Sequence, residues 1–280
     1  MQHQESEFIA YGGLPLYYQV WRPDTPPRAS LIVVHGLSEH SSRYMNLVNA
    51  LVPLGITVYA FDHRGHGRST NKRVAHVNDW AEYRGDVRAF VELVSAQEGD
   101  VPLFLMGHSM GGLIVANYVL LHPQGLRGVI LSAPPLGDVG VSPLLRLLGR
   151  VVSVFKPEAV FESGLELNGI SRDPKVLEAY KNDPLIHGKI TARWSVEFFK
   201  AIEWTRCRAA EFKPPVLIIH GDADQLVPIE GSRAFFEGIQ QVDKRYITYE
   251  GGYHESLSDI HFKQVLDDIQ NWLLERIEEK

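Results

Sequence analysis

A mostly parallel β-sheet flanked by helices is the fold class that three features of this 280-residue sequence predict. Apolar runs alternate with amphipathic helical segments through the first half and again towards the end. Several of those runs (31–34, 103–106, 216–219) are continuous, the mark of strands buried on both faces, and 56–61 reads as a further buried strand. One of them leads into Gly107-His108-Ser109-Met110-Gly111, a G-x-S-x-G turn followed by an apolar, small-residue run with helical spacing. Such alternation implies βαβ units with right-handed crossovers.

In chain order, residues 8–20 alternate apolar and polar around Gly12-Gly13 and predict a β-hairpin. Prolines at 23–27 break the chain before the 31–34 strand, which ends in His35-Gly36-Leu37-Ser38-Glu39-His40. A helix over 43–52, closed by Pro53 and Gly55, leads to the 56–61 strand and a glycine-rich loop, Asp62 to Ser69. Helical periodicity over 80–98 (Tyr83, Val87, Phe90, Val91, Val94) precedes the serine turn, and 128–132 reads as another buried strand. The rhythm lapses between about 133 and 212, where prolines recur at 134, 135, 143, 157, 174 and 184 among helical patches. It resumes with a strand at 216–220, a helix around 232–239, a strand at 245–249 and an amphipathic helix over 261–279. The expected organisation is a core of residues 1–134 and 212–280 split by a helical cap, or lid, of residues 135–211.

Composition is that of a globular protein, 45% hydrophobic and 22% charged. A net charge of −6 argues against a general nucleic-acid binder, which would carry a basic footprint. The single cysteine, Cys207, cannot form an intrachain disulfide, so nothing here requires an oxidising compartment. The first residues lack the basic and apolar regions of a signal peptide, and no apolar stretch reaches transmembrane length. A cytoplasmic location is expected, with peripheral contact at a membrane surface left open.

The G-x-S-x-G turn has a chemical rationale. A serine at the tip of so tight a turn is held in a strained backbone, and its neighbours two residues away must be nearly free of side chain. Its hydroxyl then projects clear of the sheet beside the free N–H groups of a helix N-terminus, which favour developing negative charge. A serine nucleophile needs a base, itself oriented by an acid. In open α/β sheets such groups lie just past the C-terminal ends of strands. Two such points follow Ser109: Gly221-Asp222-Ala223-Asp224 and Gly251-Gly252-Tyr253-His254-Glu255. His254 is the candidate base, with Asp222 and Asp224 competing for the acid; Asp222 is also well placed to cap its own turn. The amide of Met110 and one from the loop after the 31–34 strand, with Leu37 as candidate, would form the oxyanion hole. His63 and His66 lie three apart but lack a third ligand, and no H-E-x-x-H occurs, so no metal is expected. Neither G-x-G-x-x-G nor a Walker lysine is present, so no nucleotide or other cofactor is expected.

Six segments together resemble the α/β-hydrolase superfamily, and within it the monoacylglycerol lipase and lysophospholipase-like branch of serine aminopeptidase S33 type. They are H-G-L-S-E-H-S-S-R-Y from His35, D-H-R-G-H-G-R-S from Asp62, G-H-S-M-G-G from Gly107, N-D-P-L-I-H-G-K from Asn182, G-D-A-D-Q-L-V-P from Gly221 and G-G-Y-H-E from Gly251. The resemblance implies the α/β-hydrolase fold with an inserted helical cap, and acyl-serine hydrolysis of a small lipid ester. It favours Asp224 as the acid beside Ser109 and His254, and Leu37 and Met110 as the oxyanion amides. It places Glu39, Arg43 and Tyr180 at the polar end of the pocket, where a glycerol head group would sit. The leucine at 37 is bulkier than the small residue found in some relatives. The implied activity is cleavage of monoacylglycerol to glycerol and fatty acid. Its rivals are a lysophospholipase or broad carboxylesterase and, in a different class, a non-catalytic ligand-binding protein on the same fold.

The cap offers a separate clue. Leu144, Leu148, Val151, Val152 and Phe155 share one helical face, broadened by Leu145 and Leu147, with Arg146, Arg150 and Ser153 opposite. A basic amphipathic helix of this kind either roofs the sheet with its apolar face or meets a lipid interface. Cys207, near the end of the cap, reads as a packed residue.

Overall fold

The structure, a computed structural model, describes residues 1–70 and 74–278. Eight strands form one sheet: β1 (Gln2–Ile9), β2 (Pro15–Arg22), β3 (Ala29–Val34), β4 (Ile56–Phe61), β5 (Leu103–His108), β6 (Gly128–Ser132) and, near the C-terminus, two more. The helices among these are α1 (Met45–Leu51), α2 (Ala81–Glu98) and α3 (Met110–Leu121). Between β6 and the resumption of the sheet lie α4 (Pro143–Phe155), β7 (Val160–Glu162), α5 (Pro174–Asn182), β8 (Lys189–Thr191) and α6 (Ala192–Arg206). The chain closes with β9 (Val216–Gly221), α7 (Ile229–Gly238), β10 (Lys244–Tyr249) and α8 (Phe262–Glu278). Sheet order is β1-β2-β4-β3-β5-β6-β9-β10. The six strands from β4 to β10 are parallel, and β1 and β2 run antiparallel at one edge.

The continuous apolar runs have a simple cause. In β3, Ile32 and Val34 join a core on one face with α2, α3, α6 and α7, while Leu31 and Val33 join a second core on the other face with α1 and α8. Both faces are covered, so neither parity of the strand can be polar. At the edge, β1 runs from Gln2, six residues earlier than the alternation suggests, because Gln2–Glu7 are exposed and carry no hydrophobic periodicity. Gly12 and Gly13, both at φ 76°, make the turn into β2.

Within residues 133–212 the prolines mark helix starts as well as breaks. Pro143 and Pro174 open α4 and α5 behind side-chain caps, Ser142 Oγ accepting from the Leu145 amide (3.3 Å) and Asp173 from Lys175 (2.9 Å). The short β7–β8 ribbon, pairing Val160 with Thr191, was too brief to leave a periodic signal.

The orientation of α4 separates the two readings of its apolar stripe. Ser153 is its buried residue, Arg146 and Gly149 are half-buried beside it, and the Arg146 guanidinium stacks 4.5 Å over the Phe199 ring of α6. The small and polar face therefore packs inward. Leu144, Leu145, Leu147, Leu148, Val151, Val154 and Phe155 are exposed, Leu144 by 74% and Phe155 by 80%. The apolar face does not roof the sheet. Among the described residues no helix is long and apolar enough to cross a membrane.

Candidate active site

Ser109 stands between β5 and α3 at φ 50°, ψ −122°, a conformation that L-residues rarely adopt. Its amide bonds to the Ser132 carbonyl on the neighbouring strand (2.8 Å), which helps to hold the strained turn. The flanking glycines are required by close approach. A Cβ at Gly107 would collide with the Gly111 carbonyl, and one at Gly111 with the Val34 carbonyl of β3. The sharp turn thus presses the start of α3 against two strands, and only a hydrogen atom fits at either position.

Two loops from distant parts of the chain meet this serine. His254, in the loop after β10, places Nε2 2.8 Å from Ser109 Oγ. Its Nδ1 lies 2.7 Å from Asp224 Oδ2, in the loop after β9. Asp224 is fully engaged: Oδ2 also receives His220 Nε2 (3.1 Å), while Oδ1 accepts the amides of Leu226 (2.8 Å) and Val227 (3.0 Å). A carboxylate with four donors fixes the Nδ1–H tautomer of His254 and leaves its Nε2 lone pair facing the hydroxyl. Electrostatics agree. Burial works to raise Asp224, but the charge of His254 and the hydrogen bonds of His220 and His254 outweigh it and hold the carboxyl well below its usual range. Burial works to lower His254, yet the Asp224 charge and hydrogen bond, reinforced by Glu255 and Glu39, raise it above an ordinary imidazole.

Asp222 takes a different place. Its Oδ1 accepts the Gly251 amide (2.6 Å), tying the β9 loop to the His254 loop instead of capping its own turn.

The first amides of α3, that of Met110 included, precede the first intrahelical bond, from Leu113 N–H to Ser109 O (3.1 Å). Opposite them, a Cβ on Gly36 would lie 3.2 Å from that of Ser109, so the β3 loop abuts the serine. In that loop the Gly36 amide is taken by Glu39 Oε1; Leu37 is the next residue, and Ser38 follows at φ 63°. Tyr180, from α5, donates its hydroxyl to the Ser38 carbonyl (3.2 Å) and pins this strained segment.

Glu39, Arg43 and Tyr180 do come together, and a fourth residue that the sequence reading missed joins them. Glu255 offers both carboxylate oxygens to Arg43 Nη2 (2.9 and 2.7 Å), Glu39 Oε2 lies 3.5 Å from Arg43 Nε, and the guanidinium stacks 4.8 Å over the Tyr180 ring. Tyr44 donates to Glu39 Oε1 (2.8 Å). Burial first, then the Glu255 charge, push the Glu39 carboxyl up to about 7 against the pull of Arg43. A small cavity of about 10 Å³, room for one water, lies between Glu39, Arg43, Tyr44, His108 and Glu255. His108, within the serine turn, packs its ring 4.9 Å from that of His254.

His63 and His66 serve the loop. The His63 amide donates to His35 Nε2 (2.9 Å), His63 Nε2–H donates to the His35 carbonyl (3.0 Å), and the three rings cluster within 4.3–6.1 Å. Burial drives all three imidazoles down, His35 to about 3, so they are neutral hydrogen-bonding parts at neutral pH. Cys207 is exposed, not packed, with Sγ 3.6 Å from Glu203 Oε1.

The serine aminopeptidase, S33, family model matches residues 25–261. The chain belongs to this family. Its membership fits a site built from Ser109, Asp224 and His254 in that chain order, all inside the matched span. A monoacylglycerol lipase of Mycolicibacterium smegmatis is 37% identical over 275 residues, 98% of each chain. The phospholipase YtpA of Bacillus subtilis is 34% identical over 243 residues, covering 85% of this chain and 92% of that protein. The crystal structure of the Paleococcus ferrophilus monoacylglycerol lipase superposes with a TM-score of 0.85 at 33% identity, covering 93% of this chain and 99% of that one. The fold is that of the α/β-hydrolases, as expected.

Proposed function

We propose that this chain is a monoacylglycerol lipase, a serine hydrolase that cleaves monoacylglycerol to glycerol and fatty acid through an acyl-enzyme on Ser109. The observation that carries the reading is the hydrogen-bonded line Ser109–His254–Asp224, at 2.8 and 2.7 Å, beside the buried polar cluster of Glu39, Arg43, Tyr180 and Glu255. The names of the two lipase relatives support the substrate class.

In this reading Ser109 Oγ attacks the ester carbonyl carbon while its proton passes to His254 Nε2. Asp224, already ionised, stabilises the imidazolium that forms. The Met110 and Leu37 amides receive the oxyanion. Collapse of the tetrahedral intermediate breaks the ester bond, and His254 returns the proton to the departing glycerol oxygen. Water, deprotonated by the same imidazole, then releases the fatty acid and restores Ser109. Glu39, Arg43 and Tyr180 hold the glycerol end, with no cofactor or metal in any step.

Residues 135–211 serve as a cap over the core of residues 1–134 and 212–280. The exposed face of α4, around Leu144, Leu148, Val151 and Phe155, meets a lipid surface and brings the enzyme to its substrate. Exposed Arg150 and Lys156 flank that face and suit it to an anionic surface.

The test is a panel of esters that share one acyl chain and differ in head group, offered to wild type and Ser109→Ala. The expected result is preference for the monoacylglycerol and a loss of at least about a thousandfold in kcat on removal of the hydroxyl. Undiminished hydrolysis by the alanine variant would refute the assignment. A second reading, a lysophospholipase, is favoured by the YtpA similarity, and the same panel separates it.

A further inference from the structure

The head-group cluster carries more charge than a neutral glycerol requires, and the way that charge is paired bears on which head groups it admits. A guanidinium is the side chain best suited to grasp a phosphate, through parallel charge-assisted hydrogen bonds. Arg43 has the position for it, in the polar cluster beside the Ser109 turn. Its Nη2 is nevertheless spent on Glu255, at 2.9 and 2.7 Å, its Nε faces Glu39 at 3.5 Å, and one face is covered by Tyr180 at 4.8 Å. The Arg43, Glu255 and Glu39 side chains are only 11, 10 and 6% exposed, so solvent screens them poorly. Two carboxyl groups face one guanidinium, and the cluster therefore presents no net positive charge.

We propose that Glu255 is a specificity-determining residue: by occupying Arg43 it closes the head-group end to phosphate-bearing lipids and leaves it open to an uncharged polyol. This rests on the assignment of the cluster to the head group made above. A phosphate brought to Arg43 must either displace Glu255, leaving a buried carboxylate without its partner, or lie against two carboxyl groups of like charge; both are costly. Glycerol hydroxyls meet no such barrier, since they carry no charge and can donate to the carboxylate oxygens. Glu255 is well held for the role. It follows His254 in sequence, and its amide bonds the Ile170 carbonyl (2.9 Å), so its backbone is fixed between the catalytic loop and the segment from β6 to β9.

The experiment measures kcat/KM for a 1-acylglycerol and for the 1-acylglycerol 3-phosphate with the same chain, in matched detergent micelles, on wild type, Glu255→Gln and Glu255→Gln/Arg43→Met. Wild type should prefer the neutral lipid. Glu255→Gln frees Arg43 and should raise the phosphate-to-neutral ratio about tenfold or more, the scale of one charge-assisted hydrogen bond. Adding Arg43→Met should abolish that rise, which a merely structural role for Glu255 would not produce. An unmoved ratio in a Glu255→Gln enzyme that still labels with a fluorophosphonate overturns the proposal. So does a rise that survives loss of Arg43. Should Glu255→Gln fail to fold, wild type carries the test: kcat/KM values for the two lipids within about threefold would overturn it. An enzyme that cleaves neither lipid overturns the underlying head-group assignment as well, whereas cleavage of the acylglycerol with an unmoved ratio overturns this proposal alone.

Discussion

At the scale of single residues, the site is decided by steric exclusion and proton placement. Gly111 packs its α-carbon under the Val34 carbonyl, so Gly111→Ala must push α3 away from β3 and carry Ser109 with it. The expected outcome is a stable or mildly destabilised protein with activity down a hundredfold or more, roughly the cost of a misplaced nucleophile; kcat and circular dichroism on one preparation check it. The pH profile follows from His254, which in the proposed mechanism must be unprotonated to act as a base. Since Asp224, Glu255 and Glu39 raise its pKa, activity should fall on the acid side at a higher pH than an ordinary imidazole would give. Removal of one of those negative charges, as in Glu255→Gln, should move that limb to lower pH. A limb that stays put or moves up would contradict the electrostatic account.

At the scale of elements, the segment between β6 and β9 matters because it reaches three of the loops around the site. Tyr180 holds the Ser38 carbonyl, Asp183 bonds His40 (2.9 Å), His187 donates to the Gly65 carbonyl (2.8 Å), and Arg172 pairs with Asp259 (2.9 Å) in the His254 loop. The same segment turns the apolar face of α4 outward. Replacing Leu148 and Phe155 by Glu should abolish binding to anionic vesicles in a flotation assay, while hydrolysis of a soluble short-chain ester changes less than about twofold. Undiminished flotation would show that another surface meets the lipid. The loops after β3 and β4 give a further expectation. His35, His63 and His66 are buried and neutral, whereas the unfolded chain protonates them near 6.5. The unfolded state therefore binds more protons as pH falls from about 6.5 towards 3, the folded value for His35. Each such histidine then costs stability as pH falls below about 6.5, where the unfolded chain takes up a proton that the folded site refuses. Urea midpoints should drop steeply below pH 6, and His66→Gln should flatten the slope.

For the whole molecule, much was legible in the sequence because its signals are local. Continuous apolar runs mark strands covered on both faces; the strand ends bring Ser109, an aspartate at 222 or 224, and His254 together in that order, and the family resemblance chooses Asp224. Other features are written only in contacts between distant segments. Nothing near Glu255 announces that it will pair with Arg43, 212 residues away. The second imidazole on Asp224, from His220, was equally hidden, since a histidine at the end of a buried strand has no distinctive spacing. The helical pattern of α4 showed an apolar stripe but not its direction, which depends on Arg146 and Ser153 packing towards α6. Cys207, expected to be packed as free cysteines usually are, is exposed at the C-cap of α6.

The central claim is that Ser109 carries the acyl group of a monoacylglycerol between two half-reactions. Rapid acid quench during turnover, followed by mass spectrometry of the peptide containing residue 109, tests it most directly. The account predicts a transient adduct with the mass of the fatty acyl group on Ser109, formed with a burst of glycerol and absent from Ser109→Ala. Turnover with no adduct at Ser109, or with the acyl group on another residue, would contradict it.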